Sequence, residues 1–504
     1  MASIVLSTLN ARYSHASLGL RYLRANLGAL RDVSVIREFV VRTPAATIVD
    51  ALLAHQPRLV GFGVYIWNVT QTAEVIRQLK ARAPEVTVVI GGPEVSHETD
   101  RQAICAEADY VVTGWGDVTF AGLAQALLHG PRPLMKVHAG QQPPLDSLVL
   151  PYGEYSDDDL AHRTVYVEAS RGCPFKCEFC LSALDRTAWP FPLDPLLAEL
   201  RVLYARGARH FKFVDRTFNL KVATSVRILE FFLRTIEDRP EDPPFLHFEL
   251  IPDHLPAALK VPIAQFPPGT LQFEIGIQTF NTAVQQRISR RQDNAVAESN
   301  IAWLRANTDA HLHVDLIAGL PGEDLASFAA GFDRLVALAP HEIQVGVLKR
   351  LRGAPIARHS GEFGMVYDER PPYQVLQTSV LDAPAVQRLV RFARYWDLVA
   401  NSGRFQQTIS LVLRDTPFAR FMAMSDWLHA TSVRTHAIAA ERLYELVHAW
   451  LVANGEDPTV ATGALVADYR RSGARGKLAL GGAVAAPASP RRRVGARQSR
   501  HLAP

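Results

Sequence analysis

Two series of short apolar segments alternate with helical patterns along the chain. The first series contains five predicted strands and the second contains six. Such alternation restricts the fold to parallel α/β sheets, because parallel strands need a long crossover connection that is usually a helix. The first series predicts a doubly wound, flavodoxin-like parallel sheet. The six units of the second series predict a partial, TIM-like (β/α)6 barrel.

The strand predictions also divide the chain into domains. Predicted strands cover residues 4–7, 33–40, 59–64, 86–90 and 110–112 in the first series, and 164–169, 210–214, 246–250, 271–275, 311–317 and 342–347 in the second. A stretch rich in Pro, Gly, Gln and Asp separates the two series, and helical patterns follow the second. We therefore expect an α/β domain at 1–130, a linker at 131–163, a barrel at 164–360, an α-helical domain at 361–471 and a tail at 472–504. In the helical domain, Phe392, Tyr395 and Trp396 are expected in the core because they recur at helical spacing.

The positive net charge of the chain, +4, comes from the tail. The last 33 residues carry seven Lys or Arg and no acid, which leaves 47 basic against 50 acidic residues in the rest. With little apolar mass, this segment is predicted to be disordered, and nucleic acid is not expected as a partner. No apolar run has the length of a membrane span and the first residues form no secretory signal, so we expect a cytoplasmic protein without a membrane partner.

Three of the four cysteines, Cys173, Cys177 and Cys180, fall within eight residues in the segment SRGCPFKCEFC. A 4Fe–4S cluster takes four ligands, normally thiolates, so three cysteines would leave one iron open to a ligand that is not protein. A structural zinc site is the alternative, although it would need a fourth ligand that no nearby histidine or cysteine supplies. The fourth cysteine, Cys105, stands alone in a helical stretch and is expected to be a small buried hydrophobe.

The CxxxCxxC spacing, with Phe179 before the last cysteine, resembles the signature of the radical S-adenosylmethionine (SAM) enzymes. This resemblance implies that the cysteines bind a 4Fe–4S cluster and that SAM binds its open iron. Polar residues recur at the ends of the predicted barrel strands, in an order that resembles the coproporphyrinogen oxidase and cobalamin branches of the superfamily. By this resemblance Glu249, Gln278, Arg290 and Asp315 contact SAM, and Phe179 and Asp215 complete the predicted cofactor-binding set. Carboxylates suit the ammonium and hydroxyl groups of SAM, and an arginine suits its carboxylate.

Glycines follow three neighbouring strands of the first domain, in GFGVYIWN, GGPEVS and GWGD. They remove side chains where a large flat ligand must approach the backbone. They resemble the cobalamin-binding domain that precedes many radical SAM cores. This implies a bed formed by Gly63, Tyr65, Gly91, Gly92, Pro93, Gly114 and Gly116. The Asp-x-His-x-x-Gly motif of classical cobalamin domains is not met in NARYSHASLG, so His15 is expected to pack or hydrogen-bond rather than to ligate cobalt.

The resemblance implies reductive cleavage of SAM to a 5′-deoxyadenosyl radical, followed by cobalamin-dependent methyl transfer to an unactivated carbon. Radical cyclisation, rearrangement or oxidation, with or without cobalamin, is an alternative. A non-catalytic zinc protein that binds RNA is an alternative from another class. Reduced flavodoxin or ferredoxin is the expected electron donor, and the substrate is an undetermined small molecule or peptide. Lys349, Arg350 and Arg352, after the last predicted strand, are expected either to meet an anionic substrate or to be solvated.

Overall fold

The computed structural model describes residues 2–185, 187–472, 474, 476–480, 483–485 and 498–501. Two six-stranded parallel sheets follow each other along the chain, and helices follow the second sheet. Within these residues, no helix is both long and apolar enough to cross a membrane. The expected α/β architecture with a helical C-terminal part is confirmed.

The first sheet has the strand order β2-β1-β3-β4-β5-β6, with parallel pairing throughout. Its strands are β1 (Ile4–Asn10), β2 (Ser34–Val40), β3 (Leu59–Gly63), β4 (Thr87–Gly91), β5 (Tyr110–Gly114) and β6 (Val137–Gly140). Its helices are α1 (Leu18–Ala25), α2 (Ala45–Leu53), α3 (Val69–Arg82), α4 (Ala103–Glu107) and α5 (Asp117–His129). Every residue of β1 is buried, because helices cover both faces of a doubly wound sheet. Cys105 is buried in α4, as expected.

The segment 131–163 is more than the expected linker. Strand β6 lies within it and pairs in parallel with β5, so the first sheet extends beyond the predicted boundary. A short helix, α6 (Asp157–His162), follows and begins at a capping box formed by Ser156 and Asp159. Arg21 of α1 pairs with Asp159 at 2.8 Å, which fastens the end of this segment to the first domain.

The second sheet has the order β14-β13-β12-β11-β10-β7. Its strands are β7 (Val165–Val167), β10 (His210–Phe213), β11 (Phe245–Leu250), β12 (Leu271–Gln278), β13 (His311–Ala318) and β14 (Glu342–Val347), and the short strands β8 (Ser170–Arg171) and β9 (Trp189–Pro190) pair separately. Its helices are α7 (Leu193–Ala205), α8 (Val222–Asp238), α9 (Ala257–Ile263), α10 (Thr282–Arg287), α11 (Asn294–Asn307) and α12 (Leu325–Ala337). Burial alternates along β11, so that one face packs against helices and the other carries polar side chains.

Both edges of this partial barrel are covered by other parts of the chain. At the β7 edge, the Thr164 amide donates to the carbonyl of Ser14 at 2.9 Å. At the β14 edge, the side-chain amide of Asn401 bonds both the N–H and the C=O of Ile343, at 3.0 and 2.8 Å. An exposed strand edge would otherwise invite pairing with another chain. The first domain and the helical part therefore complete the barrel in place of further strands.

The remaining elements form the helical part. They are β15 (Val366–Tyr367), β16 (Val375–Gln377), α13 (Ala383–Val399), α14 (Thr408–Leu413), α15 (Pro417–Ser432), α16 (Ala440–Ala453), α17 (Pro458–Arg471), β17 (Leu478–Leu480), β18 (Ala483–Ala485) and α18 (Gln498–His501). Phe392, Tyr395 and Trp396 are buried, as expected for core residues. The ring of Phe392 lies 5.0 Å from that of Phe332 on α12, which joins this part to the barrel.

The expectation of a wholly disordered tail is wrong for its described residues. Leu478 and Leu480 of β17 are 1% and 6% exposed and belong to the main hydrophobic core. Arg500 of α18 donates from Nε to the carbonyl of Ser402 at 2.8 Å. Two leucines in alternation give this segment an apolar face, which its overall composition conceals. The arginine run at 491–493 lies outside the described residues.

Candidate functional site

Two cavities open at the carboxyl ends of the two parallel sheets, where α/β folds place their ligands. The first has a volume of about 600 Å³ and lies at the ends of β3, β4 and β5. The second has a volume of about 230 Å³ and lies beside the cysteine-rich loop and the ends of β11, β12 and β13. We call them the glycine cavity and the cysteine cavity.

All seven residues predicted to form the cobalamin bed line the glycine cavity: Gly63, Tyr65, Gly91, Gly92, Pro93, Gly114 and Gly116. Apolar side chains that include Leu23, Val112 and Phe120 complete the wall. A broad apolar cavity with a few polar groups at its rim is typical of a cofactor site. The residues present therefore fit a large flat group such as the corrin of cobalamin.

Glycine stands on this wall of the cavity for two different structural reasons. Gly92 has φ +113°, and a Cβ there would lie 2.6 Å from the Val64 carbonyl oxygen, so backbone packing requires glycine. At Gly63 and Gly116 the nearest protein atoms would lie 3.5 and 3.4 Å from a Cβ, within ordinary contact. The protein alone would tolerate side chains at these two positions. Their absence keeps space open for a ligand.

Neither of two histidines near this cavity is placed as the classical motif requires. The ring of His15 hydrogen-bonds the Tyr166 hydroxyl and stacks on its ring with 6.0 Å between centres, and His15 is not among the residues that line the cavity. Burial lowers the pKa of His15. His97, which follows β4, does line the cavity, and its ring packs against Gly353 of the barrel domain. Sequence reasoning missed His97 because no motif marks it.

The three clustered cysteines line the cysteine cavity, and none forms a disulfide. The loop turns at Cys177, whose carbonyl accepts from the Cys180 amide at 3.0 Å. Burial raises the pKa of Cys173 to about 11, and burial also raises that of Cys177 despite the nearby Arg290. Because metals bind the thiolate, iron must displace these protons when it binds. In the described part of the chain, no three Cys, His or acidic side chains converge closely enough to hold a single metal ion such as zinc.

The cysteine cavity also brings together the four residues predicted to contact SAM and Phe179 of the predicted cofactor-binding set. Phe179, Glu249, Gln278, Arg290 and Asp315 all line it. They come from the cysteine loop, from strands β11, β12 and β13, and from the segment between α10 and α11, so only the folded barrel places them side by side.

Gln278 shows local strain of the kind that accompanies functional sites. It has φ +69°, and the pairing of β12 with β13 shifts register between Gly276 and Gln278. Its side-chain oxygen Oε1 is buried without a hydrogen-bond partner among the described residues. An acceptor held in this way is available to a donor on a ligand.

Asp215, which belongs to the predicted cofactor-binding set, does not line the cysteine cavity. Its carboxylate accepts from the Ala169 amide at 2.9 Å and from the Ser170 hydroxyl at 2.6 Å. Burial raises the pKa of Asp215 to about 7. Asp215 thus holds the chain between β7 and the cysteine loop. Its place at a strand end suggested a ligand contact, but its side chain turns to the backbone.

Ion pairs surround the cysteine cavity. Arg216 lies 3.1 Å from Glu249. Glu274, which also lines the cavity, lies 3.1 Å from Lys212 and 3.0 Å from His247. Burial alone would raise the pKa of Glu274, but the His247 hydrogen bond and the Lys212 charge lower it overall. Sequence reasoning missed the basic partners: Lys212 lies on β10, His247 on β11, and Arg216 just after β10.

The two arginines after β14 are neither solvated nor free for a substrate. Arg350 lies 2.9 Å from Glu98, and Arg352 lies 3.1 Å from both Glu94 and Glu98. Both acids belong to the loop after β4 that forms part of the glycine cavity. The arginines therefore join the barrel to the first domain.

The two cavities share the cysteine loop. Gly172, Leu181, Leu184 and Asp185, which flank the cysteines, line the glycine cavity, while the cysteines themselves line the other. Arg171 also lines the glycine cavity and bonds Asp117 of the first domain at 2.9 Å. A ligand in one cavity would therefore face a ligand in the other across this loop.

Comparison with known proteins finds family models that match both the first domain and the barrel domain. A family model described as the B12 binding domain matches residues 4–124, and one described as the radical SAM superfamily matches residues 167–335. The chain thus joins a B12-binding domain to a radical SAM domain. A third model, described as a protein of unknown function (DUF4080), matches residues 361–481 and so covers most of the helical part.

Among curated relatives of this chain, the uncharacterized methyltransferase PH0819 of Pyrococcus horikoshii is 29% identical over 238 residues, which are 42% of this chain. The match covers 51% of the length of PH0819. Among solved structures, the radical SAM methyltransferase TsrM of Kitasatospora setae, with cobalamin and a 4Fe–4S cluster bound, has a TM-score of 0.58 at 18% identity and covers 76% of this chain and 82% of TsrM. The cobalamin-dependent SAM radical enzyme OxsB has a TM-score of 0.59 at 13% identity and covers 93% and 83%. The likeness to these two structures concerns the fold.

Proposed function

We propose that this protein is a cobalamin-dependent radical SAM methyltransferase that acts on an unactivated carbon of a small-molecule or peptide substrate. One observation carries the proposal: the loop with the three cysteines forms a wall of both cavities. A methyl donor in the glycine cavity and a radical generated in the cysteine cavity would then serve one substrate. The names of PH0819 and TsrM support methyl transfer, because both are called methyltransferases.

Cys173, Cys177 and Cys180 would hold a 4Fe–4S cluster, which supplies the electron that cleaves SAM, while cobalamin supplies a carrier for the methyl group. Arg290 lies 3.6 Å from the Cys177 sulfur through Nη1. Its charge would stabilise the thiolate, and its fork would suit the carboxylate of SAM.

Acceptors on the opposite strands would hold the rest of SAM. Glu249 and Asp315 offer carboxylates to the ammonium and ribose hydroxyl groups, and Gln278 offers its unpartnered oxygen. The backbone that carries them is part of a packed barrel, so these groups are positioned before SAM binds. Reduced flavodoxin or ferredoxin would supply the electron. A cytoplasmic location remains a prediction from the sequence.

The test is anaerobic incubation of the cluster-loaded protein with SAM and a reductant, with and without cobalamin. We expect 5′-deoxyadenosine in both cases and S-adenosylhomocysteine only when cobalamin is present. Cys177→Ala should form neither product, because it removes an anchor of the cluster.

Other outcomes separate the alternatives. Suppose that deoxyadenosine forms without S-adenosylhomocysteine although cobalamin is bound. That result would favour cyclisation, rearrangement or oxidation over methyl transfer. Zinc in place of iron and sulfide would point to the non-catalytic zinc protein.

The cobalt environment has its own test. We propose that no protein histidine ligates the bound cobalt, because His15 is engaged by Tyr166 and His97 packs against Gly353. Electron paramagnetic resonance of bound cob(II)alamin should therefore lack nitrogen splitting from a protein imidazole. Splitting that disappears in His15→Ala or in His97→Ala would contradict the proposal and identify the ligand.

A further inference from the structure

Arg171 lies where the cysteine loop meets the first domain. It is two residues before Cys173 and belongs to β8, which pairs with β9 through Arg171 and Trp189. Its side chain is 15% exposed, although it carries a permanent charge. Burying a charge costs free energy unless the charge is paired and hydrogen-bonded. The residues that pair with Arg171 therefore indicate its role.

These partners come from both domains. From the barrel domain, Glu168 accepts from Nε at 2.7 Å. From the first domain, Asp117 accepts from Nη1 at 2.9 Å. The guanidinium also lies over the rings of Tyr22 and Trp115, at 4.3 and 5.2 Å from their centres. Each contact restrains the guanidinium plane, so this one side chain fixes the position of the two domains relative to each other.

The fork of Arg171 is not fully used by the protein. Its Nη2 makes no hydrogen bond among the described residues, while Arg171 lines the glycine cavity together with Asp117. A planar guanidinium held on two sides presents its third nitrogen in a fixed direction. The carbonyl oxygens of the amide side chains around a corrin ring are suitable acceptors for it.

We propose that Arg171 is a positioning residue that binds the rim of the cobalamin and fixes it relative to the cluster. The inference rests on the proposed function, because it needs both cofactors. Arg171 holds the cofactor in place and does not itself react. Its loss should leave the cluster site intact, weaken cobalamin binding and loosen the relation between the two cofactors.

Arg352 provides a matched control. It also crosses from the barrel to the first domain, pairs with Glu94 and Glu98, and lies 4.7 Å from the centre of the Tyr373 ring. It is not among the residues that line either cavity. Arg171→Met and Arg352→Met therefore remove similar contacts at two different places on the domain junction.

The experiment compares these variants in the full chain loaded with cluster and cob(II)alamin. In Arg171→Met we expect normal cluster absorbance and a cobalamin Kd raised by about tenfold to a hundredfold, the loss typical of a hydrogen bond from a charged group. The magnetic interaction between cob(II)alamin and the reduced cluster, measured by electron paramagnetic resonance, should also change. Arg352→Met should keep the wild-type values of both. Should Arg171→Met fail to fold, Asp117→Asn removes the charge of one partner of Arg171 with little change in side-chain shape, and the same changes should appear in smaller size.

Wild-type affinity and wild-type magnetic interaction in Arg171→Met would overturn the inference, as would identical changes in Arg352→Met. In either case a wild-type protein that still forms S-adenosylhomocysteine with cobalamin would leave the proposed function standing. A wild-type protein that binds no cobalamin would overturn both.

Discussion

Glu323 should make the stability of the radical SAM domain depend on pH. It lies in the loop after β13 and is 2% exposed. Its Oε1 accepts from the hydroxyls of Thr279 and Ser327, and its Oε2 has no partner among the described residues. Thr279 follows Gln278 directly, so this carboxyl group helps to hold the strained end of β12.

The size of this effect on the free energy of unfolding follows from the pKa of Glu323. Burial raises the pKa of Glu323 from 4.5 to about 7. Between these values the folded protein keeps a proton that the unfolded chain has lost, so the free energy of unfolding falls as pH rises and levels off above pH 7. At about 1.4 kcal/mol per pKa unit, the loss amounts to about 3 kcal/mol. Glu323→Gln stays neutral and should lack this loss.

The assay is urea unfolding at several pH values, followed by hydrogen exchange and mass spectrometry of peptides from β12 to α12. Peptide-level exchange reports this region alone, which matters because a chain of several domains does not unfold in one step. We expect wild type and Glu323→Gln to converge in acid and to separate towards neutral pH. The same substitution at the exposed Glu362 should change little at any pH. Parallel curves for wild type and Glu323→Gln would refute the reasoning.

Three further predictions concern the cofactor sites and the tail. Alanine at any cluster cysteine should abolish the absorbance at roughly 400 nm and SAM cleavage, whereas Cys105→Ala should keep both, and loss of the cluster in Cys105→Ala would contradict the assignment. Gly116→Leu should block cobalamin binding without unfolding the domain, because the new side chain fills the cavity. The control is Gly122→Leu, within the helix that Gly116 precedes and with open space around it; equal binding by both variants in equilibrium dialysis would contradict this. Truncation before Leu478 should lower the thermal stability of the helical part, because burial of Leu478 and Leu480 stabilises it by about 2 kcal/mol each, and an unchanged melting temperature would contradict this.

The parallel sheets could be predicted because their strands are apolar and separated by helical patterns. Strand β6 could not, since Val137–Gly140 is short and lies in a segment whose composition indicates a linker. Its pairing with β5 depends on tertiary position. The tail was misjudged for a similar reason, because Leu478 and Leu480 find an apolar surface only after the helices have packed.

The same distinction between local patterns and tertiary contacts holds for the functional site. Clustered cysteines and glycines at strand ends are local patterns, and the structure brings each set into one cavity. The contacts of Arg171 with Asp117, and those of Arg350 and Arg352, could not be predicted, because these acidic partners lie in another domain. Asp215 shows that a sequence pattern can place a residue at a strand end without showing where its side chain points. Its carboxylate accepts a hydrogen bond from the backbone.

The central claim is that one chain carries two cofactors side by side. Native mass spectrometry of the protein, reconstituted anaerobically with iron, sulfide and cobalamin and then separated from free cofactors, tests it most directly. We expect a single species whose mass includes both a 4Fe–4S cluster and one cobalamin. In Cys177→Ala the cluster should be lost and the cobalamin retained, because the two sites are built from different residues. Wild-type protein that carries a full cluster but never cobalamin, or a single zinc ion in place of the cluster, would contradict the claim.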